Sequence, residues 1–239
     1  KSRSRGLGDV YKRQVLLAFS ISLSAQESVV DSLEIQNLEE VIVSSTRVKE
    51  NIPIAFNNVS KEDISKRNLG QDIPILLNFL PNVVTTSDAG AGIGYTGIRI
   101  RGINSQSINV TINGIPYNDA ESLGTYWVDL PDFSSSVENL QVQRGIGTSV
   151  NGSSAFGASI NILTDKISQN PYFEAANTVG SFNTIKNNFR FSTGLLNDTF
   201  EFSGRLSKID SDGYIDRAFS DLKSYFCLLY TSPSPRDLD

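Results

Sequence analysis

Apolar and polar side chains alternate most regularly in the last third of the chain. In residues 185–195 one parity is mostly apolar, including Phe189 and Phe191, and the other is polar. Residues 199–207 repeat this alternation after a three-residue link. A period of two predicts two antiparallel strands joined by a short turn. Such a hairpin suits a transmembrane β-barrel and a soluble sandwich equally well, so the pattern alone leaves both open.

Residues 41–165 combine helical and strand patterns. A helix is predicted over 61–67, because Ser60 and Asp63 have the spacing of a capping box. A second helix is predicted over 72–81, where apolar residues recur at helical spacing between a capping aspartate and a proline. Strands are predicted at 41–47, 98–101, 107–112, 137–144 and 158–163. The sequence therefore predicts a compact α+β domain over 41–165.

The two ends of the chain are related at the level of DNA. Residues 227–237 can be back-translated into a stretch whose reverse complement, shifted by one base, encodes residues 4–14. A sequencing adapter read on opposite strands would produce this relation. We therefore interpret residues 1–14 and 227–239 as artefactual adapter translation and leave them out of the fold prediction.

An apolar run at residues 15–25 has the length and the small final residues of a signal peptide. We expect a truncated signal peptide cleaved near Ala25; the alternative is a short buried helix. No apolar stretch reaches the roughly 18 residues that a membrane helix needs. Residues 26–40 are polar and acidic, which predicts a flexible leader.

Composition excludes several kinds of chemistry. The formal net charge is −5, and this acidic balance is unlike that of a protein that binds nucleic acid. The chain has no histidine, and its one cysteine, Cys227, lies in the adapter-like segment. Zinc-finger, thiol and histidine-dependent chemistry are therefore excluded, and neither a metal site nor a cofactor is predicted.

The glycine-rich and acidic segments do not contain a recognisable catalytic motif. The glycines that follow Gly145 lack the lysine of a phosphate loop, and the serines among them lack the spacing of a nucleophile elbow. Asp129 and Asp132 could form an acid/base pair, as could Asp119 and Glu121. Their turn-rich surroundings favour solvated carboxylates instead. We therefore predict that the chain is not an enzyme.

Six segments resemble, in order, the plug domain of TonB-dependent outer-membrane receptors. They are LEEVIVSSTR at 38–47, LLNFLPNVV at 76–84, IRIRGI at 98–103, VTINGIPYN at 110–118, VENLQVQRG at 137–145 and SAFGASIN at 154–161. Residues 180–182 and 210–214 are similar to the family's first barrel strands and the approach to an outer loop. The resemblance covers about residues 38–218.

This resemblance implies an α+β plug domain at 41–165, followed at 166–226 by the first antiparallel strands of a truncated transmembrane β-barrel. It favours membrane strands for the hairpin at 185–207. The implied location is the outer membrane of a Gram-negative bacterium, with the plug accessible from the periplasm. The implied function is the import of a scarce nutrient through a plug that TonB, with the ExbB/ExbD motor, drives as a gate. The implied partners are TonB, a small ligand and outer-membrane lipid, and no nucleic acid.

The resemblance also implies a TonB box, a segment that adds as a strand to the edge of TonB. Its candidate residues are Leu38, Glu39, Glu40, Val41, Ile42 and Val43. Residues 41–43 are alternatively the first strand of the plug, and the box then lies near residues 31–35.

Three arginines match family positions between the plug and the barrel wall: Arg99, Arg101 and Arg144. The resemblance implies that they donate charge-assisted hydrogen bonds to carboxylates of the wall. The alternative is that they are ordinary exposed arginines of strands.

Residues 113–132 resemble the branch of the family that takes up iron chelates (siderophores) rather than the glycan-uptake branch. Leu123 stands where family members often have histidine, so a direct metal contact is not expected there. The candidate ligand contacts are Ser87, Asp88, Tyr95, Tyr126 and Trp127. The aromatic candidates could equally serve packing.

Two other functions stay open at this point. A receptor that mainly passes a signal to an inner-membrane regulator would carry an additional folded domain before the TonB box. A soluble periplasmic binding module with a plug-like fold would lack further alternating strands beyond Phe226.

Residues 41–165 expressed alone should fold into a soluble domain, because the predicted core elements all lie within this range. Amide signals in a two-dimensional NMR spectrum should be well dispersed. A spectrum typical of a disordered chain would contradict the domain prediction.

Overall fold

The computed structural model describes residues 47–48, 52–146, 155–197 and 199–231. These residues lie in one compact unit of the chain, residues 39–239. The signal peptide, the leader and the TonB-box candidates fall outside the described residues, as does most of the strand predicted at 41–47. The domain boundaries given above stay predictions.

The described residues form two short α-helices and eleven strands in three sheets. The helices are α1 (Lys61–Arg67) and α2 (Ile73–Leu76). The strands are β1 (Phe56–Ser60), β2 (Val83–Ser87), β3 (Thr96–Ile100), β4 (Ile108–Ile112), β5 (Ile115–Pro116), β6 (Val137–Arg144), β7 (Ala158–Thr164), β8 (Tyr172–Val179), β9 (Ile185–Ser192), β10 (Phe200–Ser211) and β11 (Ser220–Thr231).

A mixed five-stranded sheet, in the order β1-β6-β7-β4-β5, carries the hydrophobic core. Strands β4 and β7 are parallel, and the other neighbours are antiparallel. Val142, Ile160 and Ile162 of its central strands are completely buried, and the same cluster includes Ile64 of α1 and Leu76 of α2. Removal of this aliphatic surface from water is the main term that stabilises the domain. The predicted α+β architecture is thus present.

Helix α1 has the predicted bounds, and its predicted cap is present. The N–H of Asp63 donates to Ser60 Oγ at 3.2 Å, which satisfies one of the free donors of the first turn. Strand β6 also has the predicted bounds, and β4 and β7 differ from the prediction by one residue.

The second helix is shorter than predicted. The prediction of a helix over 72–81 is wrong beyond Leu76. After Leu77 the N–H groups bond to carbonyls three residues back, Asn78 to Ile75 at 3.3 Å and Leu80 to Leu77 at 3.0 Å, so the α-helical pattern does not continue. Leu77 and Leu80 are nevertheless buried. The apolar stripe therefore belongs to the core, although its second half is not helical.

A four-stranded antiparallel sheet, in the order β11-β10-β9-β8, follows the α+β domain and is called the wall sheet below. Along β10 the polar parity is buried, with Glu201 and Arg205 at 1% and 3% exposure, while Phe202 and Leu206 of the other parity are exposed. This arrangement is the reverse of a soluble sheet. Among the described residues no helix is long and apolar enough to cross a membrane.

Strands β1, β2, β8 and β11 are not among those that the sequence predicts. Strand β11 is paired with β10 over its whole length and extends through residues 227–231, which the sequence analysis set aside. The DNA origin of residues 227–239 stays a prediction.

Replacement of Ile160 by alanine should destabilise the isolated domain by about 2–5 kcal/mol, because it leaves a cavity in the central strand of the core. Chemical denaturation of residues 41–165 would measure the change. The matched control is Ile115→Ala, at a side chain that is 70% exposed. A loss as large at Ile115 as at Ile160 would contradict this description of the core.

Candidate functional site

The wall sheet meets the α+β domain through a buried carboxylate, Asp132. Lys186 of β9 forms an ion pair with it, at 2.6 Å from Nζ to Oδ1. Asn188 and Ser207 donate to its Oδ2 at 2.5 Å and 2.6 Å. The Asp132 side chain has no exposed surface, and that of Lys186 is 4% exposed. A charge pair buried to this degree needs such additional hydrogen bonds to offset the loss of water.

The α+β domain supplies its own partners to the same carboxylate. Ser135 donates to Asp132 Oδ1 at 2.6 Å, and Asn68 donates to Ser135 Oγ at 2.8 Å. Lys186 Nζ also donates to Asn68 Oδ1 at 3.1 Å, which closes the network across the interface. The residues of this Asp132 cluster are Asn68, Asp132, Ser135, Lys186, Asn188 and Ser207.

The cluster keeps Asp132 ionised. Burial by itself would raise the pKa of this carboxyl group, but the charge of Lys186 and the hydrogen bonds from Lys186, Ser135 and Ser207 outweigh it. The pKa of Asp132 is therefore lower than its ordinary value.

A second wall cation, Arg205 of β10, approaches the same segment. Its Nη1 lies 3.6 Å from Asp132 Oδ2, and its Nε donates to Ser136 Oγ at 2.8 Å. Nη1 also donates to the carbonyl of Pro131 at 3.4 Å and to Ser224 Oγ of β11 at 3.1 Å. Arg205 thus connects β10 and β11 to residues on both sides of Asp132.

A separate ionic cluster lies around Asp165, just after the last strand of the α+β domain. Lys61 of α1 and Arg190 of β9 bind its two carboxylate oxygens at 2.6 Å and 2.5 Å. Tyr230 Oη donates to its backbone carbonyl at 2.7 Å. The segment that links the two parts of the structure is therefore bound to both of them.

The wall sheet also contacts the α+β domain through the loop between β10 and β11. The N–H groups of Tyr214 and Ile215 donate to the carbonyl of Ala89 at 2.8 Å and 3.3 Å. Gly90, with φ of 72°, lies under Tyr214, where an added Cβ would be only 2.9 Å from the tyrosine Cβ. Glycine is needed here both for its backbone conformation and for this close approach.

Residues 48–159 match the family model described as TonB-dependent Receptor Plug Domain. The match spans strands β1 to β6, the first two residues of β7 and the segment that carries Asp132. This part of the chain is a TonB-dependent receptor plug domain. The wall sheet beside this domain is antiparallel, and the side chains of β10 that point away from the domain are largely apolar. The predicted fold of a plug followed by barrel strands is therefore confirmed.

Curated relatives extend the similarity over most of the chain. It is 30% identical over 203 residues to the Vitamin B12 transporter BtuB of Vibrio vulnificus (strain YJ016), which covers 83% of this chain and 32% of the relative. It is 23% identical over 223 residues to the Ferrienterobactin receptor of Escherichia coli (strain K12), covering 86% of this chain and 30% of the relative. The chain thus spans about a third of the length of these relatives.

Solved structures have the same fold. Pseudomonas aeruginosa FpvA bound to heterologous pyoverdines has a TM-score of 0.62 at 16% identity, over 77% of this chain and 24% of that one. Other relatives are named as a probable TonB-dependent siderophore receptor of Acinetobacter baumannii and an iron-regulated outer membrane virulence protein of Vibrio cholerae. Together with the plug-domain match, these relatives confirm the predicted outer-membrane location and the prediction that the chain is not an enzyme.

Of the plug arginines singled out from the sequence, two are exposed and Arg144 is partly buried. Arg99 of β3 and Arg101, which has φ of 53°, are exposed, and Arg144 Nη1 donates to the carbonyl of Pro81 at 3.4 Å. Within the described ranges none of the three forms an ion pair with the wall sheet. Their contact with wall carboxylates stays a prediction.

The predicted ligand contacts are divided between surface and core. Tyr95 and Tyr126 are 66% and 51% exposed, and Asp88 is exposed in the same loop as Tyr95, between β2 and β3. Ser87 is partly buried and accepts a hydrogen bond from the N–H of Gly92. Trp127 is only 2% exposed and belongs to the core cluster, so packing is its role in this structure. Ligand contact at the exposed residues stays a prediction.

Sequence reasoning missed the importance of Asp132. The expectation of a solvated carboxylate is wrong here, because Asp132 is among the most buried polar residues of the plug. The signal that could have found it lies in the hairpin: Lys186 and Arg205 occupy the parity opposite the phenylalanines, and buried cations require a carboxylate from another element. Among the described residues no group of acidic, histidine or cysteine side chains could hold a metal ion.

Another buried carboxylate, Asp72, lies next to the loop between β2 and β3. Its Oδ2 accepts from Thr96 Oγ1 at 2.8 Å, and its own N–H donates to the carbonyl of Gly92 at 3.0 Å. Oδ1 has no hydrogen-bond partner among the described residues. Burial raises the pKa of Asp72 to about 7, and the hydrogen bonds from Thr96 and the Gly94 backbone lower it only in part.

Because the pKa of Asp72 is raised on folding, the folded plug holds this proton more tightly than the unfolded chain. The free energy of unfolding should therefore fall as pH rises from about 4 to about 7. Asp72→Asn should remove this contribution and stabilise the isolated plug by up to about 4 kcal/mol near pH 8. Urea denaturation across this range would measure it.

The control is Asp88→Asn, which changes an exposed aspartate of the neighbouring loop. It should leave the pH dependence as in the unchanged plug. An unaltered dependence in Asp72→Asn would assign it to another group.

Proposed function

We propose that this chain is the gate and the first wall strands of a TonB-dependent importer of a scarce nutrient. The observation that carries the proposal is the polar face of the wall sheet, whose cations bind carboxylates of the plug while its apolar face is exposed. This geometry suits a plug seated in the lumen of a large barrel. Because an outer membrane has no ATP, uptake against a gradient needs work from a partner, and TonB is the partner implied by the family.

The ligand class that we propose is an iron chelate of the siderophore type. Its support is the resemblance of residues 113–132 to the iron-chelate branch, together with relatives named as siderophore or ferrienterobactin receptors. Cobalamin is the second candidate, since a relative at 30% identity is named as a vitamin B12 transporter.

Site residues follow from the same proposal. Exposed residues Asp88, Tyr95 and Tyr126 would contact the ligand at the outer end of the plug, and Leu38 to Val43 would bind TonB. The three arginines would contact wall strands beyond those of this chain. Motion of the plug would then open a path past the Asp132 and Asp165 clusters.

The complete protein that contains this chain, placed in the outer membrane of a Gram-negative host without receptors of its own, should take up radiolabelled ferric siderophores. Uptake should require TonB and should stop when the inner-membrane proton gradient is dissipated. A panel of catecholate, hydroxamate and carboxylate chelates, with labelled cobalamin as the competing candidate, would identify the ligand class.

If the protein takes up cobalamin with TonB but no iron chelate, the proposed ligand class is wrong and the proposed gating function is retained. Equal uptake with and without TonB would contradict the proposed function itself. The matched host with an empty vector sets the background.

A further inference from the structure

We infer that Asp132 is the positioning residue that keeps the plug seated against the wall when TonB is not pulling. This inference rests on the proposed function, and it assigns the resting closure of the gate to one carboxylate of the plug. In this contact the plug supplies the carboxylate and the wall supplies the cations. The sequence predicted the opposite, with plug arginines bound to wall carboxylates.

Asp132 is the carboxylate that neutralises two buried cations of the wall sheet. Asp132 is the ion-pair partner of both Lys186 and Arg205, whose side chains are 4% and 3% exposed. In the described part of the chain no other carboxylate forms an ion pair with either cation. Without Asp132 the wall would hold two buried cations close together, a state that favours separation of the plug from the wall.

The local backbone shows that the Asp132 side chain bonds to the wall sheet and not to the backbone of its own turn. Asp132 precedes the 3-10 turn Phe133–Ser136 in the capping position, where an aspartate ordinarily accepts hydrogen bonds from backbone N–H groups of its own turn. Here it forms no such bond to that backbone. Its φ of 53° is in the left-handed region, and its oxygens accept from Asn188 and Ser207 of the wall instead.

Neighbouring residues extend the contact over three wall strands. Arg205 binds the carbonyl of Pro131 and the hydroxyl of Ser136, and Ser224 of β11 donates to the same carbonyl at 2.9 Å. The segment from Pro131 to Ser136 therefore has its polar partners in β9, β10 and β11. Movement of this segment breaks all of them together.

A cysteine reporter in the wall tests the inference in the complete protein. Ser203 lies on the lumen parity of β10, is 8% exposed and is distinct from the cluster, so Ser203→Cys should react with a membrane-impermeant maleimide only when the plug moves away. All other cysteines of the complete protein are replaced by serine. Labelling rates are compared in hosts with and without TonB.

In the absence of TonB, Asp132→Asn should raise the labelling rate on the order of tenfold or more, as expected for loss of a buried charged hydrogen-bond partner. Asp132→Glu, which keeps the charge, should restore much of the protection. Asp129→Asn makes the same chemical change at an exposed residue three positions earlier and should label at the rate of the unchanged protein. If Asp132 is needed only for folding of the plug, Asp132→Asn would lower the amount of protein in the membrane but would not change the labelling rate of the protein that is present.

Protection in Asp132→Asn equal to that of the unchanged protein would overturn the inference. If that variant does not reach the membrane, Lys186→Gln removes the charge from the wall side and should raise labelling in the same way; unchanged protection there would also overturn it. The proposed function is tested separately by the unchanged protein, whose labelling should rise when TonB is energised. Absence of that rise would reject the importer, while the comparison without TonB would still decide the role of Asp132.

Discussion

A polar sheet face can be buried only if its charges are matched, and the arrangement of this molecule depends on that match at Asp132. Lys186 and Arg205 stand on the inner parity of the wall strands, where water is excluded. An isolated buried ammonium or guanidinium group would be strongly unfavourable. The plug supplies the compensating carboxylate together with hydroxyl and amide partners, so the position of the plug and the polarity of the wall determine each other.

The same constraint explains the reversed pattern of the wall sheet. Phe202 and Leu206 are exposed because the outer parity of a membrane strand faces hydrocarbon, whereas Glu201 and Arg205 are buried because the inner parity faces protein. In a soluble sandwich hairpin the phenylalanines would form the core. The alternation could therefore be read from the sequence, but which parity is buried depends on what lies on each side of the sheet.

Much of the fold followed from local patterns. Helix α1 and strand β6 have their predicted bounds, since capping and strict alternation are signals carried by adjacent residues. Strand β8 carries mainly small and polar residues, and β1 lacks clear alternation, so neither gave a signal that adjacent residues could reveal. The Asp132 cluster is different in kind, because its partners lie 56 and 75 residues away and no local pattern encodes such a pairing. A turn-rich segment gives the same sequence signal whether its carboxylate meets water or a buried lysine.

Strong contacts at Asp132 are compatible with the movement proposed for the plug, because the contacts are polar and concentrated. An apolar interface of similar extent would lose its stabilisation gradually as its surfaces separate, since burial scales with area. Buried hydrogen bonds and ion pairs depend steeply on distance and orientation, so they are lost within a short displacement. Water that enters the gap then solvates Lys186, Arg205 and Asp132 and removes most of the remaining attraction. Such an interface holds its two parts firmly in contact and offers little resistance after a first displacement, which is the behaviour that the proposed gate requires.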